Sequence, residues 1–420
     1  MEKEYIDIKR SLLVRTEIEL PASKSISNRA LIINALSGSD EKPENLSDCD
    51  DTQVMIAALR DMPEVIDIGA AGTAMRFLTA YLCVTPGEHT ITGTERMRHR
   101  PIGILVDALR QLGANVQYEG EEGFPPLRIT GRDDLNGGCV EMAADVSSQY
   151  LSALLMIGPT LRQGLTLKLK GRIASKPYLE MTMSMMRTFG AEVEWESEDT
   201  ICVKHGEYKP TPYVIENDWS AASYWYEVVS LTNDPGAWIE MPGLSAESLQ
   251  GDSCVWRIFE YLGVATEETT CTSGRKGIKI YKCGDETDYL NCDFADCPDL
   301  TQTVTVTCAI KEIPFSFTGV ESLRIKETDR LAALRNELNT LGYQLEVTDN
   351  SLEWGGFYSS DSSEEKLPSI KTYEDHRMAM AFAPACCRRE VIRILNPKVV
   401  SKSYPTFWED MKKAGFRICN

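Results

Sequence analysis

Histidine is scarce in this chain. Its 420 residues include four (His89, His99, His205 and His376), and none sits at zinc-site spacing. No C-x-x-C pair occurs among the thirteen cysteines, which scatter from Cys49 to Cys419 and read as reduced thiols. Neither a metal nor a cofactor is expected. Long apolar runs are also missing: the longest, Tyr150 to Leu161, is too short to span a bilayer and contains Gly158 and Pro159. The N-terminal MEKEYIDIKR is charged and has no apolar h-region, so no signal peptide is expected. These absences predict a soluble cytoplasmic protein with no membrane partner. Basic residues are in deficit, with 44 Lys plus Arg against 63 Asp plus Glu and a net charge of −19. That balance excludes non-specific binding to nucleic acid or to anionic membranes, but not a small, locally basic pocket.

What is present is ordinary globular composition, 43% hydrophobic and 25% charged. The length suits two or three domains at a prior of about 150 residues each. A repeat then stands out. Helical stretches ending in glycine and followed by a β-prone run recur at Gly113, Gly190, Gly263, Gly342 and Gly415, spaced 77, 73, 79 and 73 residues apart. Each glycine stands where a helix C-cap calls for a left-handed residue. VMIAALRDMPEVIDI, near Met62, reads as a sixth copy without the glycine. The spacing implies six α/β units of about 70 residues. Loop-like composition marks Glu207–Pro212, Thr232–Gly236 and Gly355–Glu365; the second reads as a domain crossover, the third as an exposed loop within a repeat.

Several segments join polar or basic residues to apolar helices. PASKSISNRALIINAL predicts a loop and helix N-terminus over Ser25 to Asn28, with Lys24 and Arg29 adding charge to free backbone N–H groups, the makings of an anion site. DIGAAGTAMRFLTAYL places Gly72 and Arg76 at another helix start. In ERMRHRPIGILVDAL, Arg96, Arg98 and Arg100 precede Pro101, which suits the first turn of the next helix; Arg100 is the best phosphate candidate of the three. Ser147, Ser148 and Gln149 open a further helix, where capping and phosphate binding use the same geometry. In LRIKETDRLAALRNEL, the spacing of Lys326, Glu327 and Arg330 predicts a shared helix surface. Asp375, His376 and Arg377 precede a run of small apolar residues, and Lys402 lies between serines in VVSKSYP.

Taken in order, SKSISNR, GTAMR, RPIG, VSSQ, SKPY, PD, KETDR, DHRMAM and the Lys402 segment closely resemble the 5-enolpyruvylshikimate-3-phosphate synthase family across nearly the whole chain. The resemblance implies an α/β fold, a two-domain inside-out α/β barrel of six βαβαββ repeats, three per domain, closing over a cleft. With the crossover above, domain I comprises 1–20 plus 236–420 and domain II comprises 21–235. The implied reaction adds the 5-hydroxyl of shikimate 3-phosphate to C2 of phosphoenolpyruvate, protonates C3 and eliminates phosphate. The two substrates together carry about −5 to −6, counting about −1.5 to −2 per phosphate. Lys24, Arg29, Arg76, Arg100, Lys326, Arg330, Arg377 and Lys402 are the cations available to meet that charge.

By resemblance, Lys24, Gly72, Arg100, Gln149, Arg330, Arg377 and Lys402 contact phosphoenolpyruvate. Ser25, Arg29, Ser147, Ser148, Ser175, Tyr178, Asp299, Ser322 and Lys326 hold shikimate 3-phosphate. Asp299 is the implied base for the 5-hydroxyl, with Lys24 or Lys326 assisting; Glu327 is the implied acid at C3, with Lys24 and Lys402 as further proton carriers. Three positions depart from the family pattern: Ala70 and Ser322 replace asparagines, and Ala22 replaces a glycine. Gly72 is kept where the family is sterically sensitive to glyphosate, so inhibition is expected. A monomer is expected. Two alternatives stay open at this point, a UDP-N-acetylglucosamine enolpyruvyl transferase and an inactive anion-binding paralogue. The stretch from Thr92 to Gly103 lacks the reactive cysteine usual in the former, and retained Asp299, Glu327 and Lys24 argue against the latter.

Overall fold

The computed structural model describes residues 4–144, 147–173, 175–358 and 367–419. The chain divides into a discontinuous unit, Met1–Pro21 with Asn217–Asn420, and a continuous unit, Ala22–Glu216. One sheet topology recurs. In Leu290–Asp293, Phe315–Thr318, Ser351–Trp354 and Glu346–Val347, the first two strands pair parallel and the later contacts are antiparallel. The helices Thr301–Lys311 and Arg330–Thr340 join the strands, giving βαβαββ. Four further sheets share this order. The last of them is closed by the N-terminal strand Tyr5–Lys9, which lies between Val391–Leu395 and Arg417–Cys419. The sixth copy is abbreviated: it contributes the helices Lys24–Leu36 and Asp50–Asp61 and a single parallel bridge between Glu44 and Val214.

In each unit the first helices of the repeats are buried on nearly every face, as a helix surrounded by protein must be. Gly72–Cys83 exposes little beyond Tyr81, and every residue of His376–Phe382 is buried. Strands alternate instead, as Gly138–Ala143 does, so one face meets the helices and the other meets solvent. Lys24–Leu36, Gly72–Cys83 and Ser148–Ile157 pack together in the continuous unit. Trp219–Leu231, Thr301–Lys311 and His376–Phe382 do so in the other. Helices inside and sheets outside put the N-termini of three buried helices close together within each unit.

The glycine ladder is physical. Gly113, Gly190, Gly342 and Gly415 have φ between 89° and 99°. Each is followed by an N–H that donates to a carbonyl five residues back, as Ala114 does to Leu109 and Phe416 to Met411, both at 3.0 Å. This closes the helix before the strand begins. Gly263 (φ 81°) sits instead at a register shift between Leu262 and Val264. Met62 does the capping task without glycine, at φ 38°.

The crossover differs from the sequence expectation. The chain re-enters the discontinuous unit at Asn217, ahead of the helix Trp219–Leu231, whose apolar residues join that unit's core. Thr232–Gly236 is a tight turn inside the unit, closed by Gly236 N–H donating to Asp234 Oδ1 at 3.0 Å. Turn residues mark any reversal, and here the reversal is helix to strand. Residues 359–366, most of the expected loop, lie outside the described residues. Among the described residues, no helix is long and apolar enough to cross a membrane.

Candidate active site

At the helix N-termini of the discontinuous unit, four cations interleave with carboxylates. Arg330, 1% exposed, opens the helix Arg330–Thr340 and is the hub. Its Nε donates to Asp375 Oδ2 at 2.7 Å, its Nη1 to Asp299 Oδ1 at 2.9 Å and its Nη2 to Glu327 Oε2 at 2.9 Å. Arg377 Nη2 lies 2.9 Å from Asp299 Oδ2, Lys402 Nζ 3.0 Å from Glu327 Oε1, and Lys326 Nζ 3.9 Å from Asp299 Oδ1. Asp375 caps the helix His376–Phe382 by accepting from Arg377 N–H at 2.9 Å, so one carboxylate fixes both arginines. Arg377 also donates to Ser220 Oγ, which in turn donates to Asp252 through a short hydrogen bond.

These neighbours decide the electrostatics. Burial alone raises the Asp299 carboxyl, but Arg377, Lys326 and Arg330 together outweigh it and hold the group well below the usual carboxylate range. Burial lowers Lys326 despite the opposing pull of Asp299. Asp252 is pushed up to about 7, by burial first and then by the charge of Asp299. The eight cations of the sequence reading are therefore not all surplus charge. Here four cations face Asp299, Glu327 and Asp375, with Asp252 behind Ser220.

The continuous unit carries a second cluster with fewer carboxylates. Lys24 is the first residue of the helix Lys24–Leu36, its Nζ 3.4 Å from Asp51 Oδ2. Arg29 is 2% exposed. It donates to Thr182 Oγ1 at 2.7 Å, Ser25 O at 2.9 Å and Ser152 Oγ at 3.0 Å, with the rings of Phe77 and Tyr178 alongside. Burial draws its guanidinium down to about 10, so it keeps its charge at neutral pH. Arg29 thus organises Ser25 and Tyr178, two other expected ligands. Gln149 donates to Thr73 Oγ1 at 3.1 Å, joining two helix N-termini, while Ser147 caps Ser148–Ile157. Ser175 stands in the left-handed region (φ 57°) ahead of Lys176–Thr188.

Gly72 begins its helix directly under two arginines. A methyl group added there would lie 2.5 Å from Arg100 Nη1 and 2.9 Å from Arg76 Nη1. Both are the ends of flexible side chains, so Gly72→Ala should fold normally while displacing the guanidinium groups. On the expectation that Arg100 contacts phosphoenolpyruvate, the expected result is a rise of about tenfold in KM for that substrate, with kcat changed by less than about threefold. Steady-state kinetics with unchanged KM would refute it.

Three local expectations are corrected. The first helix starts at Lys24, so Ser25 to Asn28 lie in its first turns and not in a loop. Pro101 precedes the N-cap Ile102 of Gly103–Gln111 and is not in the helix. Lys326 and Glu327 do not share a helix surface with Arg330, because the helix begins at Arg330 with Asp329 as its cap. Glu327 reaches Arg330 by folding back. Arg96 and Arg98 are exposed, and Arg100 is half-buried beside Gly72. Ser322 lies in the short turn of helix Glu321–Ile325. Sequence reasoning missed Asp375, Ser220 and Asp252 as partners of the arginines. The D-H-R helix start was visible for Asp375; Ser220 and Asp252 come from segments with no local signal. Among the described residues, Glu17, Glu240 and Cys271 form a group of metal-ligand type. Its carboxylates already accept from Ser273 and Thr272, and none of the motif residues belongs to it.

The family model of EPSP synthase (3-phosphoshikimate 1-carboxyvinyltransferase) matches residues 8–66 and 61–411. A 3-phosphoshikimate 1-carboxyvinyltransferase of Bacteroides fragilis is 56% identical over 406 residues, 96% of each chain. That of Cellvibrio japonicus is 35% identical over 433 residues, covering 97% of this chain and 98% of the relative. An EPSP synthase structure from Acinetobacter baumannii has the same fold, with a TM-score of 0.78 at 23% identity, covering 99% of this chain and all of that one. The chain belongs to the EPSP synthase family.

Proposed function

We infer that the chain transfers the enolpyruvyl group of phosphoenolpyruvate to the 5-hydroxyl of shikimate 3-phosphate, a step of aromatic amino-acid biosynthesis. The observation that carries this reading is 56% identity across 96% of a 3-phosphoshikimate 1-carboxyvinyltransferase. The cluster around Arg330 supports it, because paired cations and carboxylates suit a reaction of two anions that also moves protons. Phosphoenolpyruvate is assigned to Lys24, Gly72, Arg100, Gln149, Arg330, Arg377 and Lys402. Shikimate 3-phosphate is assigned to Ser25, Arg29, Ser147, Ser148, Ser175, Tyr178, Asp299, Ser322 and Lys326.

Asp299 takes the 5-hydroxyl proton as oxygen attacks C2, and Glu327 delivers a proton to C3; loss of a C3 proton and of phosphate completes the exchange. A carboxylate held as low as Asp299 is a weak base. Anionic substrate arriving on Arg377 and Arg330 cancels part of their pull and restores its basicity. The same anions compete with Glu327 for Arg330 and Lys402, releasing it toward the protonated form that an acid needs. The proton transfers are thereby coupled to substrate binding.

The protein is further proposed to act as a cytoplasmic monomer with no nucleic-acid partner, and to be inhibited by glyphosate. Phosphate release should occur with phosphoenolpyruvate plus shikimate 3-phosphate and not with phosphoenolpyruvate plus the UDP-sugar. Release only with the UDP-sugar, or with neither, overturns the reading. Insensitivity to millimolar glyphosate refutes the inhibition.

A further inference from the structure

The segment Lys371–Asp375 adopts backbone that its residues disfavour. Tyr373 and Glu374 have φ of 53° and 58°, two consecutive left-handed residues with no glycine between them. Side chains with a Cβ occupy that region at a cost, and such strain persists where the surroundings over-determine it. Directly after the pair come Asp375, which holds Arg330, and Arg377, which meets Asp299.

Two of the bonds that hold this strap converge on one buried side chain. Glu337, 3% exposed, accepts the Tyr373 hydroxyl on Oε1 at 2.5 Å and the Lys371 N–H on Oε2 at 2.9 Å. Thr372 Oγ1 donates to Leu395 O at 3.1 Å, and Asp375 N–H donates to Thr372 O at 2.8 Å, which closes the turn. Burial, then Glu337 itself, pushes the Tyr373 phenol up to about 12, so it stays a donor throughout the working pH range. Glu337 also stands seven residues after Arg330 in the helix Arg330–Thr340, two turns along the same face. That helix therefore grips the strap twice: Arg330 holds Asp375, and Glu337 holds Lys371 and Tyr373.

We propose that Glu337 is a positioning residue for the reaction, clamping the left-handed strap so that Asp375 and Arg377 are set against Arg330 and Asp299. It touches no reacting atom. The proposal rests on the enolpyruvyl-transfer reading above, in which Arg330 and Arg377 contact phosphoenolpyruvate. Without the clamp the strap relaxes toward ordinary backbone and carries both arginine contacts with it.

Kinetics of the full chain test it, in three variants. Glu337→Ala removes both acceptors and should raise KM for phosphoenolpyruvate about tenfold, more than for shikimate 3-phosphate, with kcat/KM down about 30-fold or more. Glu337→Gln should return to within about threefold of the parent. Its amide oxygen accepts from Lys371 N–H, and its amide nitrogen donates to the Tyr373 oxygen. Tyr373→Phe, which deletes one hydroxyl, should fall between them. A merely structural loss would lower the active fraction and leave both KM values alone. An unchanged KM for phosphoenolpyruvate in Tyr373→Phe overturns the proposal, and this variant decides if Glu337→Ala does not fold. So does a Glu337→Gln variant as impaired as Glu337→Ala. An unmodified chain with no turnover on the two substrates would instead overturn the reading on which the proposal rests.

Discussion

Asp299→Asn is expected to lower kcat by about a thousandfold while KM for phosphoenolpyruvate stays level or falls. General-base catalysis is worth about 10²- to 10⁴-fold, and an amide of the same shape cannot take the 5-hydroxyl proton. The binding side moves the other way. Asp299 sits against Arg330, Arg377 and Lys326, and neutralising it leaves those cations more attractive to an anion. A fall in kcat with a raised KM would point to lost binding and would count against Asp299 as the base. Stability gives an independent check. The Asp299 carboxyl is held below its unfolded value, so its contribution is fully present above about pH 4. That contribution is lost only as pH falls through the depressed folded value. The stability gap between parent and Asp299→Asn, read from denaturant midpoints, should therefore close in strong acid; it should also narrow from pH 5 to 8, because without the Asp299 charge Asp252 ionises at a lower cost in the variant. A gap that stays undiminished into strong acid would contradict the pairing.

Arg330→Ala is expected to cost stability as well as activity. It leaves Asp375, 0% exposed, without the guanidinium that it holds at 2.7 Å, and removes a partner from Asp299 and Glu327. Breaking one side of a buried ion pair costs about 3–5 kcal/mol. For a unit of this size, calorimetry should show a fall in Tm of about 10 °C. Arg330→Lys should recover little of it, since a point ammonium cannot fork toward three carboxylates. A lysine variant with parental Tm would show that charge alone, and not the planar fork, holds the cluster.

Much of this was legible beforehand because the signals are local. A glycine that must be left-handed after a helix is visible at Gly113 or Gly415 without knowing what the strand beyond pairs with. The helix starts at Gly72, Ser147 and His376 were likewise written in capping and small residues. The crossover lies elsewhere for the same reason: Thr232–Gly236 carries strong turn chemistry, but turn residues do not say which core the next element joins. Lys326 and Glu327 lie outside the helix of Arg330 because spacing of three and four implies a shared helix face only where a helix exists, and Asp329 caps it later.

The sequence by itself determined the repeat, the helix-starting motifs that carry charge and, through their order, the family. Only tertiary structure decided how that charge is balanced. The scarcity of basic residues turned out to matter less than their partners: Arg330 is satisfied by three carboxylates drawn from positions 299, 327 and 375, whereas Arg29 is met by hydroxyls and a carbonyl. Ser220, Asp252 and Glu337 acquire their roles only when helices far apart in the chain are packed together. A side chain's charge is local, but its environment is not, and protonation, orientation and strain belong to the environment.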